Sequence, residues 1–148
     1  MKRIQGYAIV FAPEISCDLG GFREEIHPKA LTGVVERSDI LATVDHDTSR
    51  GVLARATKGK GTLSLSVDNR GLKYSLTPPS SAAAVVESVE RGDLRGSSFI
   101  FTLPATGADS FRKLPDGTIL RTIYKFDELR DVSLVYHPAY PGTEVKIV

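Results

Sequence analysis

The chain opens with a run from Ile4 to Phe11 in which β-branched, aromatic and aliphatic residues dominate, and it stops short of Pro13, as an initial strand would. A loop containing Gly20 and Gly21 follows. His27-Pro28 then leads into Lys29-Ala30-Leu31, where a proline at a first helical position predicts a helix of about two turns ending near Gly33. Ile40 to Val44 reads as a second strand and runs into Asp45-His46-Asp47. From Val52 to Thr77 the pattern is a meander. VLARAT is followed by TLSLSV, with Leu63, Leu65 and Val67 alternating, then by the hairpin connection Asp68-Asn69-Arg70-Gly71 and by LKYSLT.

After Pro78-Pro79 the period changes. Alanines with Val85, Val86 and Val89 mark one face of a helix over Ser81 to Arg91, with Ser80 or Ser81 as its cap and Gly92 at its end. Strand patterns return at Ser97 to Leu103, Phe111 to Leu114, Thr118 to Phe126 and Asp131 to Tyr136, with a short last one at Val145 to Val148. Many short strands with hairpin connections around one good helix predict an antiparallel β-barrel or sandwich decorated by helices. The length of 148 residues fits a single domain spanning residues 1–148.

Composition narrows the function classes. Hydrophobic residues make up 41% and charged residues 25%, the balance of a folding chain rather than a disordered one. Nineteen basic against eighteen acidic residues, with no block of like charge, argue against nucleic acid as a partner. No apolar run approaches the roughly 18 residues a spanning helix requires, so no membrane partner is expected either. The single Cys17 excludes an internal disulfide, and the start MKRIQGYAIVFAPE makes a poor signal peptide, which together suggest a reducing cytoplasm.

Three residues stand out chemically. His46 follows an apolar strand and is bracketed by Asp45 and Asp47, whereas His27 and His137 each precede a proline and read as capping or turn residues. Ser98 opens the apolar strand SFIFTL, and a serine hydroxyl becomes a useful nucleophile only with a general base in hydrogen-bond reach. Asp131 begins the strand DVSLVY and could orient a histidine by accepting its Nδ1 proton. Asp45, His46 and Asp47 could also hold a metal, but no spacing supplies the remaining ligands, and no cofactor is implied.

Taken in order, GYAIVF, EEIHPKAL, VDHD, LSVDNRGLKYSL, RGDLRGSSFIF and LRDVSLVYHPAYP resemble the prohead proteases of tailed bacteriophages, serine endopeptidases related to herpesvirus assemblin, over roughly residues 6 to 142. The resemblance implies an assemblin-like β-barrel surrounded by a few helices. It implies a catalytic group of His46, Ser98 and Asp131, with Asp45 where the family often has asparagine, Ile100 where it has glycine, and Asp131 where it has glutamate. Assemblin's third member is a histidine, which makes His137 the alternative orienter. The implied function is cleavage of capsid precursor or scaffold, and of the protease itself, inside the assembling prohead in the bacterial host. Weak homo-oligomerisation, as a homodimer or larger, is expected through the helix from Ser81 to Arg91. A catalytically inactive assembly module, a generic binding barrel and a metal hydrolase are the rival readings.

Overall fold

The computed structural model describes residues 2–148. β1 (Ile4–Val10) forms where the apolar run predicts it, and β2 (Arg23–Ile26) follows the glycine loop as a strand the sequence pattern did not mark. His27 then caps a single 3₁₀ turn at Pro28–Leu31, its Nδ1 accepting from the Lys29 amide at 3.1 Å. The expected two-turn helix is thus split. Gly33, at φ 71°, begins α1 (Val34–Arg37) instead of ending a helix.

β3 (Asp39–Val44), β4 (Ala54–Thr57), β5 (Lys60–Gly61), β6 (Leu63–Val67) and β7 (Gly71–Leu76) come next. The Asp68 carboxylate, accepting from the amides of Arg70 and Gly71, closes the predicted hairpin. α2 (Ala83–Arg91) is the expected helix, but a 3₁₀ turn at Ser80–Ala82 precedes it, so the N-cap falls on Ala82 and neither serine caps it. Gly92 ends it in the left-handed region at φ 83°. β8 (Gly96–Thr102), β9 (Asp109–Lys113), β10 (Ile119–Ile123), β11 (Glu128–Val135) and β12 (Glu144–Ile147) complete the chain.

The fold is mainly β with two helices. Its strands pair in three sheets, ordered β12-β1-β7-β6, β2-β10-β9 and β5-β4-β3-β11-β8. Among the described residues none of the three sheets closes on itself, so the expected barrel is not shown, and against the antiparallel expectation β2 with β10 and β3 with β11 run parallel. Parallel pairs need long crossovers, which a reading of consecutive hairpins does not detect.

One contiguous core joins the sheets. Ile4, Ile9, Leu72 and Tyr74 of the first face Ile40, Leu129, Val132 and Leu134 of the third and Ile26 and Ile123 of the second within a single cluster. Beside β8 the core is aromatic: Phe101 stacks on Phe126 at 4.6 Å, and Phe99 lies 5.7 Å from Tyr140. Phe126 is fully buried, whereas Phe111 on β9 is 58% exposed. Phe126→Ala is therefore expected to lower the unfolding free energy by about 3–5 kcal/mol and Phe111→Ala by about 1 kcal/mol or less, read from urea denaturation midpoints at constant slope. Equal losses would contradict this placement of the core.

Candidate active site

Because β3 and β11 are parallel neighbours, their C-terminal ends emerge side by side. At the end of β3 the chain reverses through Asp45 and His46, both left-handed at φ 55° and 57°, and the Asp47 N–H returns to the Val44 carbonyl at 3.1 Å. Two successive positive φ values are the mark of a type I′ turn, which asparagine, aspartate and histidine tolerate better than most residues. β11 clamps this turn twice. The Asp45 N–H donates to the Leu134 carbonyl at 2.9 Å, and the His46 N–H donates to Ser133 Oγ at 2.9 Å.

A bulge in β11 between Leu129 and Asp131 decides which side chain joins the site. Leu129 lies opposite Phe101, but Asp131, rather than Arg130, lies opposite Ile100. That shift turns the carboxylate to the sheet face that carries Ile100 and Ser98 and leaves Arg130 exposed to solvent. Asp131 is 6% exposed and surrounded by donors. Thr43 Oγ1 donates to its Oδ1 at 2.7 Å, while Ser133 Oγ at 2.5 Å and His46 Nδ1 at 2.6 Å reach its Oδ2. Thr43 and Ser133, both fully buried, are also 2.6 Å apart. The carboxylate thus receives two hydroxyls and an imidazole, without which its burial would be costly.

Ser98 sits opposite Ser133 in the β8–β11 register. Its Oγ lies 3.0 Å from His46 Nε2. With Nδ1–H donated to Asp131, Nε2 is left with its lone pair and accepts from the serine hydroxyl. Both ring nitrogens are engaged, so this arrangement leaves neither free for a metal. The His46 side chain retains 29% of its exposure and Ser98 is half-buried, so the hydroxyl and imidazole remain open to an incoming molecule.

The start of β8 is fixed from the opposite face. Ser97 Oγ donates to the Glu144 carbonyl at 2.8 Å and lies 2.7 Å from the Tyr74 hydroxyl, whose own ionisation is pushed far up by burial. Ser97 N–H donates to Thr143 Oγ1 at 3.1 Å, and the single proton of that hydroxyl is shared between the Tyr140 carbonyl at 2.8 Å and the Ser97 carbonyl at 3.0 Å. Gly96 has no room for a side chain, since a Cβ there would meet Pro138 at 2.5 Å. Among the described residues β8 is an edge strand, hydrogen-bonded as a strand to β11 alone. By alternation from Ser97, the backbone groups of Phe99 and Phe101 face the open edge just past Ser98.

Of the residues singled out in the sequence, His46, Ser98 and Asp131 meet in one hydrogen-bonded chain. His137 stands exposed beyond the end of β11, and among the described residues it makes no side-chain hydrogen bond. His27 caps its own turn through the Lys29 amide and is not a member of this chain of hydrogen bonds. Thr43 and Ser133 were missed. The available signal was a small polar residue inside each of the apolar strands ILATV and DVSLVY, with Ser133 two residues from Asp131 and hence on its face.

The family model described as caudovirus prohead serine protease matches residues 1–148. No curated protein matches the chain. Among solved structures, a Kaposi's sarcoma-associated herpesvirus protease in complex with a dimer disruptor is similar at 14% identity and a TM-score of 0.53, covering 99% of this chain and 76% of that one. A second structure of that virus's protease, with an allosteric inhibitor, is similar at 15% identity and a TM-score of 0.51, covering 100% of this chain and 76% of that one. At such identities the likeness is one of fold.

The buried hydroxyls carry a measurable consequence. Thr43→Val and Ser133→Ala each remove a donor to a buried carboxylate and are expected to cost about 1–3 kcal/mol in chemical denaturation. Because the two hydroxyls touch each other and share Asp131, the double variant should lose less than the sum. Additive or negligible losses would show that the two hydroxyls do not act together on Asp131.

Proposed function

Since the chain belongs to the caudovirus prohead serine protease family, and is thus a serine peptidase, we propose that Ser98 is its nucleophile, His46 its general base and Asp131 the group that orients His46. The observation that carries this reading is the unbroken path from Ser98 Oγ through Nε2 and Nδ1 of His46 to Asp131, at 3.0 Å and 2.6 Å. Ser98 Oγ attacks the scissile carbonyl as its proton passes to His46 Nε2. Collapse of the tetrahedral intermediate breaks the C–N bond, and His46 returns the proton to the leaving amine. Asp131 holds the imidazole in the Nδ1–H tautomer throughout. The substrate approaches as an extended strand beside Phe99 and Phe101, where the open edge of β8 offers main-chain hydrogen bonds next to the nucleophile.

The physiological substrates in this proposal are the capsid precursor or scaffold protein and the protease itself, cleaved within the assembling prohead in the bacterial host. Self-association is part of the same proposal, through the outer face of α2, where Ala83 and Glu87 are exposed while Val89 packs inward. A concentration series followed by light scattering and activity tests that part.

Ser98→Ala should retain the fold and lose cleavage by about 10³-fold or more. Ser97→Ala, whose hydroxyl lies on the buried face, should instead lose stability and keep most of its turnover. Asp131→Asn should reduce turnover more than His137→Ala does. Processing of a capsid precursor or casein, followed by gel and mass spectrometry, measures these losses of cleavage. Near-parental cleavage by Ser98→Ala would remove the assignment.

A further inference from the structure

A groove of about 580 Å³ lies between the His46 turn and α2, within the size range of ligand sites. Leu53 and Leu94 are buried at its floor, and Ala84 and Val85 of α2 form one wall. Val52 and Tyr136 also line it, and they are 39% and 41% exposed, so it displays large apolar side chains to solvent. Val44, Asp45 and Asp47 belong to its lining as well, so it begins at the residues on either side of His46. Nothing in the chemistry of Ser98, His46 and Asp131 uses this groove.

We propose that it receives the part of the substrate chain that follows the scissile bond, and that it selects an apolar side chain there. The inference rests on the reading of Ser98 as nucleophile and His46 as base. The proton removed from Ser98 must be delivered to the leaving nitrogen, so that nitrogen sits against His46 Nε2 when the C–N bond breaks. The acyl half of the substrate therefore stays at Ser98 and the leaving half departs past His46. It cannot continue along the edge of β8, because the Thr143 side chain takes the Ser97 N–H and lies 3.0 Å from the Ser97 carbonyl, and Pro138 packs on Gly96. The remaining course is over the His46 turn at the strand ends, into the groove that Asp45 and Asp47 line on either side of His46 and that Val44, level with Leu134 and Ser97, continues on the other face of the sheet. A second, more open hollow bounded by Arg95, His137 and Pro141 contains no residue of that turn.

The test separates the two halves of the reaction. p-Nitrophenyl acetate acetylates the nucleophile and has no residue beyond its scissile bond. Acetyl transfer from the acyl-enzyme to Leu-Ala-amide or Gly-Ala-amide then reports only on the leaving-group side: the amine attacks the ester carbonyl, the C–Oγ bond breaks, and His46 returns the amine's proton to Ser98. The parent protein should prefer Leu-Ala-amide by about tenfold or more. Ala84→Trp, which fills the groove, and Val52→Arg, which puts a charge in it, should each bring that preference close to unity while the nitrophenolate burst stays unchanged. The inference is overturned if the parent shows no preference, if the preference survives both variants, or if only Arg95→Ala abolishes it. Absence of a Ser98-dependent burst in the parent would instead overturn the reading of the nucleophile, and is recognised before any acceptor is added.

Discussion

The pairing of β3 with β11 is the constraint on which the site depends. Because these strands are parallel and in register from Asp131↔Leu41 to Leu134↔Val44, the turn that ends β3 emerges over the residues of β11 that hold it. Leu134 fixes the turn through its carbonyl and Ser133 through its hydroxyl, while Asp131 takes the imidazole. One strand thereby sets both the backbone and the side chain of His46. The hydroxyls of Thr43 and Ser133 make the arrangement possible, since a buried carboxylate with the imidazole as its sole donor would be poorly satisfied.

The second constraint is on β8, and it comes from the other side of the sheet. Ser97 and Ser98 are adjacent in sequence and point to opposite faces, as strand residues must. Ser97 is locked into the interior by Tyr74, Thr143 and the Glu144 carbonyl. Ser98 is thereby presented outward, opposite Ser133. The bulge before Asp131 completes the alignment by moving Arg130 out of the register. Three separate devices, a left-handed turn, a bulge and a buried hydroxyl anchor, bring three side chains of distant sequence to hydrogen-bonding distance.

Much of the fold was legible along the chain, and the reasons are local. The LSLSV alternation, the DNRG connection and the valine face of α2 each depend on neighbours within a few residues, and each appears where it was read. β2 was not legible, because REEI is mostly charged and is a strand only by virtue of pairing with β10 ninety-odd residues away. The split of the Pro28 helix was missed because Gly33 serves equally well as an end or a beginning. The parallel pairings and the grouping into three sheets depend on crossovers that period alone does not encode. At the site, the ordered motifs pointed to His46, Ser98 and Asp131, and the structure brings those residues together. Thr43 and Ser133 escaped notice because a small hydroxyl in an apolar strand is ordinarily unremarkable, and it becomes informative only once its partner is known.

Reaction of the native protein with a fluorophosphonate, followed by peptide mass spectrometry, reads the activation of Ser98 by His46, because such a reagent bonds to a serine activated by a neighbouring base. A single adduct is expected on Ser98, and it should disappear in His46→Ala. An adduct on Ser97 or another serine, or labelling of Ser98 that persists without His46, would contradict that activation.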